Sequence, residues 1–216
     1  DSLYEQQFLR TDHVIRYLFR GACDRVARRR ILELERAGFL QREEHTLVKG
    51  RSIVRLTQSG VLLAESRSLV RIPQLRILDP RNLVHDSLVA AVRLRLKELW
   101  DGTWIPESLI KGEEFPQVPD GMIVFPNGRQ AAIEVENTPK GPTRFHEIQE
   151  RWRKVSVRLV LYVATDATMH RIVRRYLESG PKDLPFGLVL WDDLERGVPP
   201  VWTVMGELDL LSRRTL

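Results

Sequence analysis

Residues 28–43 read RRRILELERAGFLQRE, and residues 54–65 read VRLTQSGVLLAE. In the first run Ile31 and Leu34 continue a stripe that begins at Cys23 and Ala27. These apolar positions fall at steps of four, four and three, which predicts one buried face on a helix over about 22–37. Gly38 follows, where a left-handed C-cap suits glycine. Phe39-Leu40-Gln41-Arg42 reads as a short strand and Ile53-Val54-Arg55-Leu56 as its partner, joined by a polar, basic tip with Lys49, Gly50 and Arg51. Thr57-Gln58-Ser59-Gly60 then opens a helix over 61–66. Upstream, Thr11 is a good N-cap for a helix from His13 to Phe19, with Val14, Ile15, Leu18 and Phe19 at helical spacing and a break at Arg20-Gly21. Two helices joined by a tight glycine turn are the core of a helix-turn-helix.

Helix, helix, hairpin, helix over residues 1–66 resembles the winged helix-turn-helix families, on the two runs quoted above. The resemblance implies double-stranded DNA as partner and the second helix as the reading element. The apolar stripe of that helix leaves Asp24, Arg25, Arg28 and Arg29 outward. Arginine there reads guanine edges bidentately or grips phosphates. Lys49, Arg51 and Arg55 are placed to reach the neighbouring backbone. A homodimer is expected if paired half-sites are read. A solvated basic helix on a protein-binding winged helix is the plainer alternative.

Residues 67–84 break the helical period with Pro73 and Pro80, yet carry Leu69, Val70, Ile72, Leu75, Ile77 and Leu78. A flexible linker is more polar, so an ordered connection is expected. A second domain over 85–216 opens at His85-Asp86 with a helix to about Trp100. Strands follow at Thr103–Glu107, Gly121–Phe125 and Gln130–Glu136, the last two joined by the hairpin signal Asn127-Gly128. After a helix over 144–154, residues 157–164 (VRLVLYVA) read as a central buried strand. A helix over 168–178, a strand over 186–191 and an edge strand over 201–204 complete the domain.

That order resembles the restriction-endonuclease-like core of the PD-(D/E)xK nucleases, an α/β fold. The matching residues are Pro119-Asp120 and Glu134-Val135-Glu136. Strand alternation points Glu134 and Glu136 the same way, with Ile133 and Val135 toward the core, and Asp120 lies one hairpin away. Asp120, Glu134 and Glu136 would form a hard-oxygen site suited to Mg2+ or Mn2+. The family pattern carries lysine where this chain has Glu136, and Lys140 stands four residues on. If the site is active, these four residues are its catalytic set. The loss of the lysine favours a degenerate nuclease fold kept for binding.

Taken together, the winged helix, NLVHDSLVAAVRL (82–94), VPDGMIVF (118–125) and AAIEVENT (131–138) resemble the replication-relaxation family of plasmid and mobile-element proteins. The resemblance implies a DNA-binding accessory or regulatory protein in replication, mobilisation or transcription control, with other mobile-element proteins as further partners. The alternative is a metal-dependent endonuclease targeted by its winged helix.

The net charge of +5 over 216 residues mildly favours polyanionic partners. The single cysteine, Cys23, rules out an intrachain disulfide and cannot build a zinc finger. On its stripe Cys23 reads as a small core residue. No run reaches the roughly 20 apolar residues of a membrane span, so no membrane partner and a cytoplasmic location are expected. Neither G-x-x-x-x-G-K-[ST] nor G-x-G-x-x-G occurs, which argues against a nucleotide cofactor.

Overall fold

The computed structural model describes residues 2–48, 52–68, 71–72, 78–111 and 115–209. The chain is a mixed α/β protein that divides into two compact units, Asp1–Leu94 and Arg95–Leu216.

The first unit begins with α1 (Ser2–Gln6) and β1 (Phe8–Arg10), neither signalled by periodicity because each spans fewer than two repeats of its pattern. A helical turn, α2 (Thr11–His13), runs into a π-helical stretch over Val14–Leu18. Helix α3 (Asp24–Arg36) is followed by β2 (Leu40–Glu44), β3 (Ser52–Leu56) and α4 (Gln58–Glu65). The strands form one antiparallel sheet in the order β1-β3-β2.

Local chemistry accounts for the joints. Gly38 has φ +76°, and Phe39 N–H donates to Leu34 O at 3.0 Å while Gly38 N–H donates to Glu35 O at 2.9 Å. This pair of bonds is the Schellman closure expected after α3. Thr57 caps α4, accepting from Gly60 N–H at 3.2 Å.

Two expectations fail here. Thr11 caps nothing; its buried hydroxyl bonds Ser52 O at 2.9 Å, tying α2 to β3. Cys23 is exposed, because α3 starts one residue later and the buried stripe begins at Ala27. The core gathers Leu9, Val14, Ile31, Leu40 and Val54 with Ala90 and Leu94 of α5 (Leu83–Leu99).

The division between the units therefore falls inside α5, whereas the sequence pattern suggested a boundary at 67–84. Of that stretch, residues 69–70 and 73–77 lie outside the described residues. Its described part packs on the first unit: Ile72 N–H donates to the Tyr4 hydroxyl at 2.8 Å, and Leu78 rests on Phe8, Ile53 and Leu83.

The second unit takes the end of α5 and adds β4 (Thr103–Pro106), α6 (Glu107–Ile110), β5 (Gly121–Val124) and β6 (Gln130–Glu136). Then come α7 (Pro142–Trp152), β7 (Leu159–Ala164), α8 (Ala167–Ser179), β8 (Phe186–Leu190), α9 (Trp191–Arg196), β9 (Pro200–Thr203) and β10 (Gly206–Asp209). The sheet order is β10-β9-β8-β7-β6-β5-β4. Strands β6, β7 and β8 run parallel, and the other pairings are antiparallel.

Every residue of β7 is buried, as its unbroken apolar run demands. On one face Ala132, Val160, Tyr162, Phe186 and Leu188 pack under Phe145 and Trp152 of α7 and Met169, Val173 and Leu177 of α8. By alternation Ile133, Val135, Leu161 and Val163 are buried on the other face. Arg95 links the end of α5 to α9, donating to Leu194 O at 2.8 Å and Gly197 O at 2.6 Å. Among the described residues, no helix is long and apolar enough to cross a membrane.

Candidate functional site

The second unit concentrates carboxylates where β5 and β6 run side by side. The β5–β6 turn is the one Asn127-Gly128 signals: Gly128 has φ +79°, and Asn127 Oδ1 accepts from Arg129 N–H at 3.0 Å. This turn sets the register Gly121↔Ile133, which puts Asp120 opposite Glu134. Asp120 N–H donates to Ile133 O at 3.1 Å, and its Oδ2 accepts from Val135 N–H at 2.7 Å.

Alternation along β6 carries Glu134 and Glu136 to the face that α7 and α8 cover, where both are buried. Both faces of β6 are therefore core, not only the one bearing Ile133 and Val135. Burial pushes the Glu134 carboxyl well above the usual carboxylate range, and the Asp120 charge adds to this. Lys140 opposes the shift, Glu136 reinforces it, and a hydrogen bond of 3.3 Å from Gln117 Nε2 to Glu134 Oε1 opposes it slightly.

Lys140 Nζ bonds and ion-pairs with Glu136 Oε1. The turn that carries it is held from α8, where the Tyr176 hydroxyl donates to Lys140 O at 3.3 Å. Tyr176 stacks on Phe145 with centroids 5.2 Å apart, and Phe145 stacks on Tyr162 at 5.4 Å. Tyr162 is paired in register with Glu134 and fully buried. Burial first, then the charges of Glu134 and Glu136, raise its hydroxyl well above its ordinary value.

Asp120, Glu134, Glu136 and Lys140 are thus brought together. As arranged, they do not fit a ready-made divalent site. One oxygen of Asp120 is committed to Val135, Glu136 carries the Lys140 ammonium, and among the described residues no three His, Cys, Asp or Glu side chains are grouped to hold an ion. Arg144 is exposed on the first turn of α7. Gln117, Tyr162 and Tyr176 escaped the sequence reading. Gln117 sits in an irregular Phe-Pro-Gln-Val-Pro stretch, and the two tyrosines are camouflaged as ordinary core positions of β7 and α8.

In the first unit the candidate DNA contacts lie on α3. Arg25, Arg28 and Arg29 are exposed, and Arg29 makes a loose pair with Glu33 at 3.6 Å. Val26 and Leu32 are also exposed at 40% and 38%, so the outer face is basic with apolar interruptions. Lys49 and Arg51 lie outside the described residues. Arg55 turns into the sheet instead, its side chain 12% exposed and 3.7 Å from Glu43. The π-helical Arg16 guanidinium stacks over Tyr17 at 5.3 Å.

Comparison with protein-family models, with curated proteins and with solved structures returns no match to this chain.

Proposed function

We propose that this protein binds double-stranded DNA through the exposed face of α3, as an accessory or regulatory factor rather than as a nuclease. The observation that carries the reading is the placement of Arg25, Arg28 and Arg29 on the exposed side of a helix flanked by the Gly21 turn and the β2–β3 hairpin. The three-stranded order β1-β3-β2, with α2, α3 and α4 in the same unit, supports the winged helix-turn-helix reading. An α-helix presented with its basic side outward matches the width and charge of the major groove. A mobile-element setting rests on the resemblance of the winged-helix segment together with 82–94, 118–125 and 131–138 to the replication-relaxation family.

The second unit supports a binding or scaffolding role. A lysine already neutralises Glu136, and the charge of Glu134 is suppressed by its surroundings. The endonuclease reading keeps one observation in its favour, the convergence of Asp120 and Glu134 at neighbouring strands.

Both readings are tested by titrating the whole chain against duplex DNA and incubating it with supercoiled plasmid, with and without Mg2+ or Mn2+. We expect saltable binding, no nicking, and an affinity loss of about tenfold or more in Arg28→Ala/Arg29→Ala, equivalent to roughly 1.4 kcal/mol. Unchanged affinity in that variant removes α3 from the reading role. Metal-dependent nicking abolished by Glu134→Gln establishes the endonuclease.

A further inference from the structure

The parallel strands β6, β7 and β8 leave two ends. The carboxylates occupy the end where β6 finishes. The other end is basic, and nothing in the α3 reading uses it. Residues 151–158 read RWRKVSVR, with Trp152 fully buried as the anchor and Arg151, Lys154 and Arg158 exposed around it.

The backbone folds this run tightly. Lys154 N–H donates to Arg151 O and Val155 N–H to Trp152 O, each at 3.0 Å. Arg158 N–H donates to Gln130 O at 2.8 Å, which sets Arg158 beside the hairpin that carries exposed Arg129.

Two of the neighbouring acids are taken by Arg153. Arg153 pairs with Glu150 at 3.3 Å and with Asp183 at 2.8 Å. Among the described residues, no ion pair involves Arg151, Lys154 or Arg158. The C-terminal carbonyls of α7 attract cations within the last turn, which accounts for Arg151 and Lys154. They do not account for Arg158, which lies beyond the helix and just before β7.

We propose that Arg151, Lys154 and Arg158 form a second contact for the phosphate backbone of nucleic acid, separate from α3. Clustered guanidinium and ammonium groups without acidic partners suit phosphate oxygens, and they release counterions when they meet them. The proposal rests on the reading of this chain as a DNA binder only in taking the same polyanion as ligand.

The test is the salt dependence of binding between the whole chain and a random-sequence duplex. The parent is compared with Arg151→Gln/Lys154→Gln/Arg158→Gln and with Arg28→Ala/Arg29→Ala. The log–log slope should become shallower by roughly 2–3 in the triple variant, about 0.9 per phosphate contact. A companion triple variant with Arg151→Lys, Lys154→Arg and Arg158→Lys should keep the parent slope. All substituted side chains are exposed, so thermal midpoints should stay together, and a triple variant that unfolds is replaced by Arg158→Gln alone, for which a slope change near one is expected.

A parent slope retained in the glutamine variants overturns this proposal and leaves the α3 reading standing. A slope lowered by the glutamine variant but not by Arg28→Ala/Arg29→Ala supports it and sinks α3 instead. Binding to phosphatidylserine vesicles that depends on these three residues, with no duplex binding, also overturns it.

Discussion

Lys140 rests its ammonium on Oε1 of Glu136, four residues back in the chain and across the turn that leaves β6. The glutamate is almost fully enclosed, its side chain 4% exposed, while the lysine keeps 27% of its side chain at the surface. A buried carboxylate is costly without a partner, and here the partner reaches in from the rim.

Removing that partner should be worse than removing the pair. Lys140→Met is expected to destabilise the protein by about 2–4 kcal/mol, somewhat below the usual cost for a wholly buried pair because the lysine is partly solvated. Lys140→Met/Glu136→Gln should recover most of the loss. Urea unfolding of the parent, both single variants and the double variant measures the coupling. Additive losses would show that Lys140 does not stabilise Glu136.

The neighbouring Glu134 has the opposite sensitivity. Its folded-state pKa lies above the ordinary value of 4.5, chiefly through burial and secondly through Asp120. The native state therefore holds the proton more tightly, and stability from this group is full below about pH 4.5 and is lost as pH rises toward the folded pKa. Glu134→Gln should raise the thermal midpoint at pH 8 and leave it nearly unchanged at pH 4. A lower midpoint at pH 8 would mean that the charge of Glu134 is itself required.

His13 gives the first unit a response to acid. Burial, then Arg10, lowers its pKa from 6.5 to about 4. The unfolded chain binds the proton first, so the contribution of neutral His13 is whole above about pH 6.5 and declines as pH falls toward 4. The shift corresponds to roughly 3 kcal/mol at most. His13→Phe should flatten the stability profile between pH 6.5 and 4. Calorimetry that finds the same slope in parent and variant would assign the acid response to other groups.

Two glycines should behave in opposite ways. A Cβ on Gly60 would stand 2.1 Å from Phe39 O, so α4 approaches the backbone just before β2 too closely for any side chain. Gly60→Ala should cost on the order of 1–3 kcal/mol through the shift it forces. Gly141, with φ −64° and nothing within 4 Å of where a Cβ would stand, sits just before α7. Gly141→Ala should be neutral or stabilising by about 0.4–1 kcal/mol, since it restricts only the unfolded chain. Equal losses at both positions would contradict this packing.

The elements that chain-local physics governs were legible in the residues themselves. Strand β6 occupies the residues its pattern predicted, because its turn is specified by Asn127-Gly128 and its length by the apolar positions around Glu134. Helix α3 and its Gly38 closure follow from apolar spacing and a left-handed cap, both decided within a few residues. That Asp120 lies one hairpin away from the β6 glutamates was legible from Asn127-Gly128, but the turn spans residues 126–128, with Phe125 N–H donating to Arg129 O, and this register decides that Asp120 faces Glu134.

Tertiary structure decided what depends on partners distant in sequence. Thr11 has the chemistry of a cap, but Ser52, brought close by β1–β3 pairing, takes its hydroxyl. Arg55 has the charge of a DNA contact, but its strand register turns it toward Glu43. Helix α5 is one continuous periodic segment, yet its first part belongs to one core and its end to another unit, a division that no local signal in a helix can mark. Lys140 is placed by Tyr176 from α8, and such long-range contacts are selected by packing of the whole unit rather than by spacing along the chain.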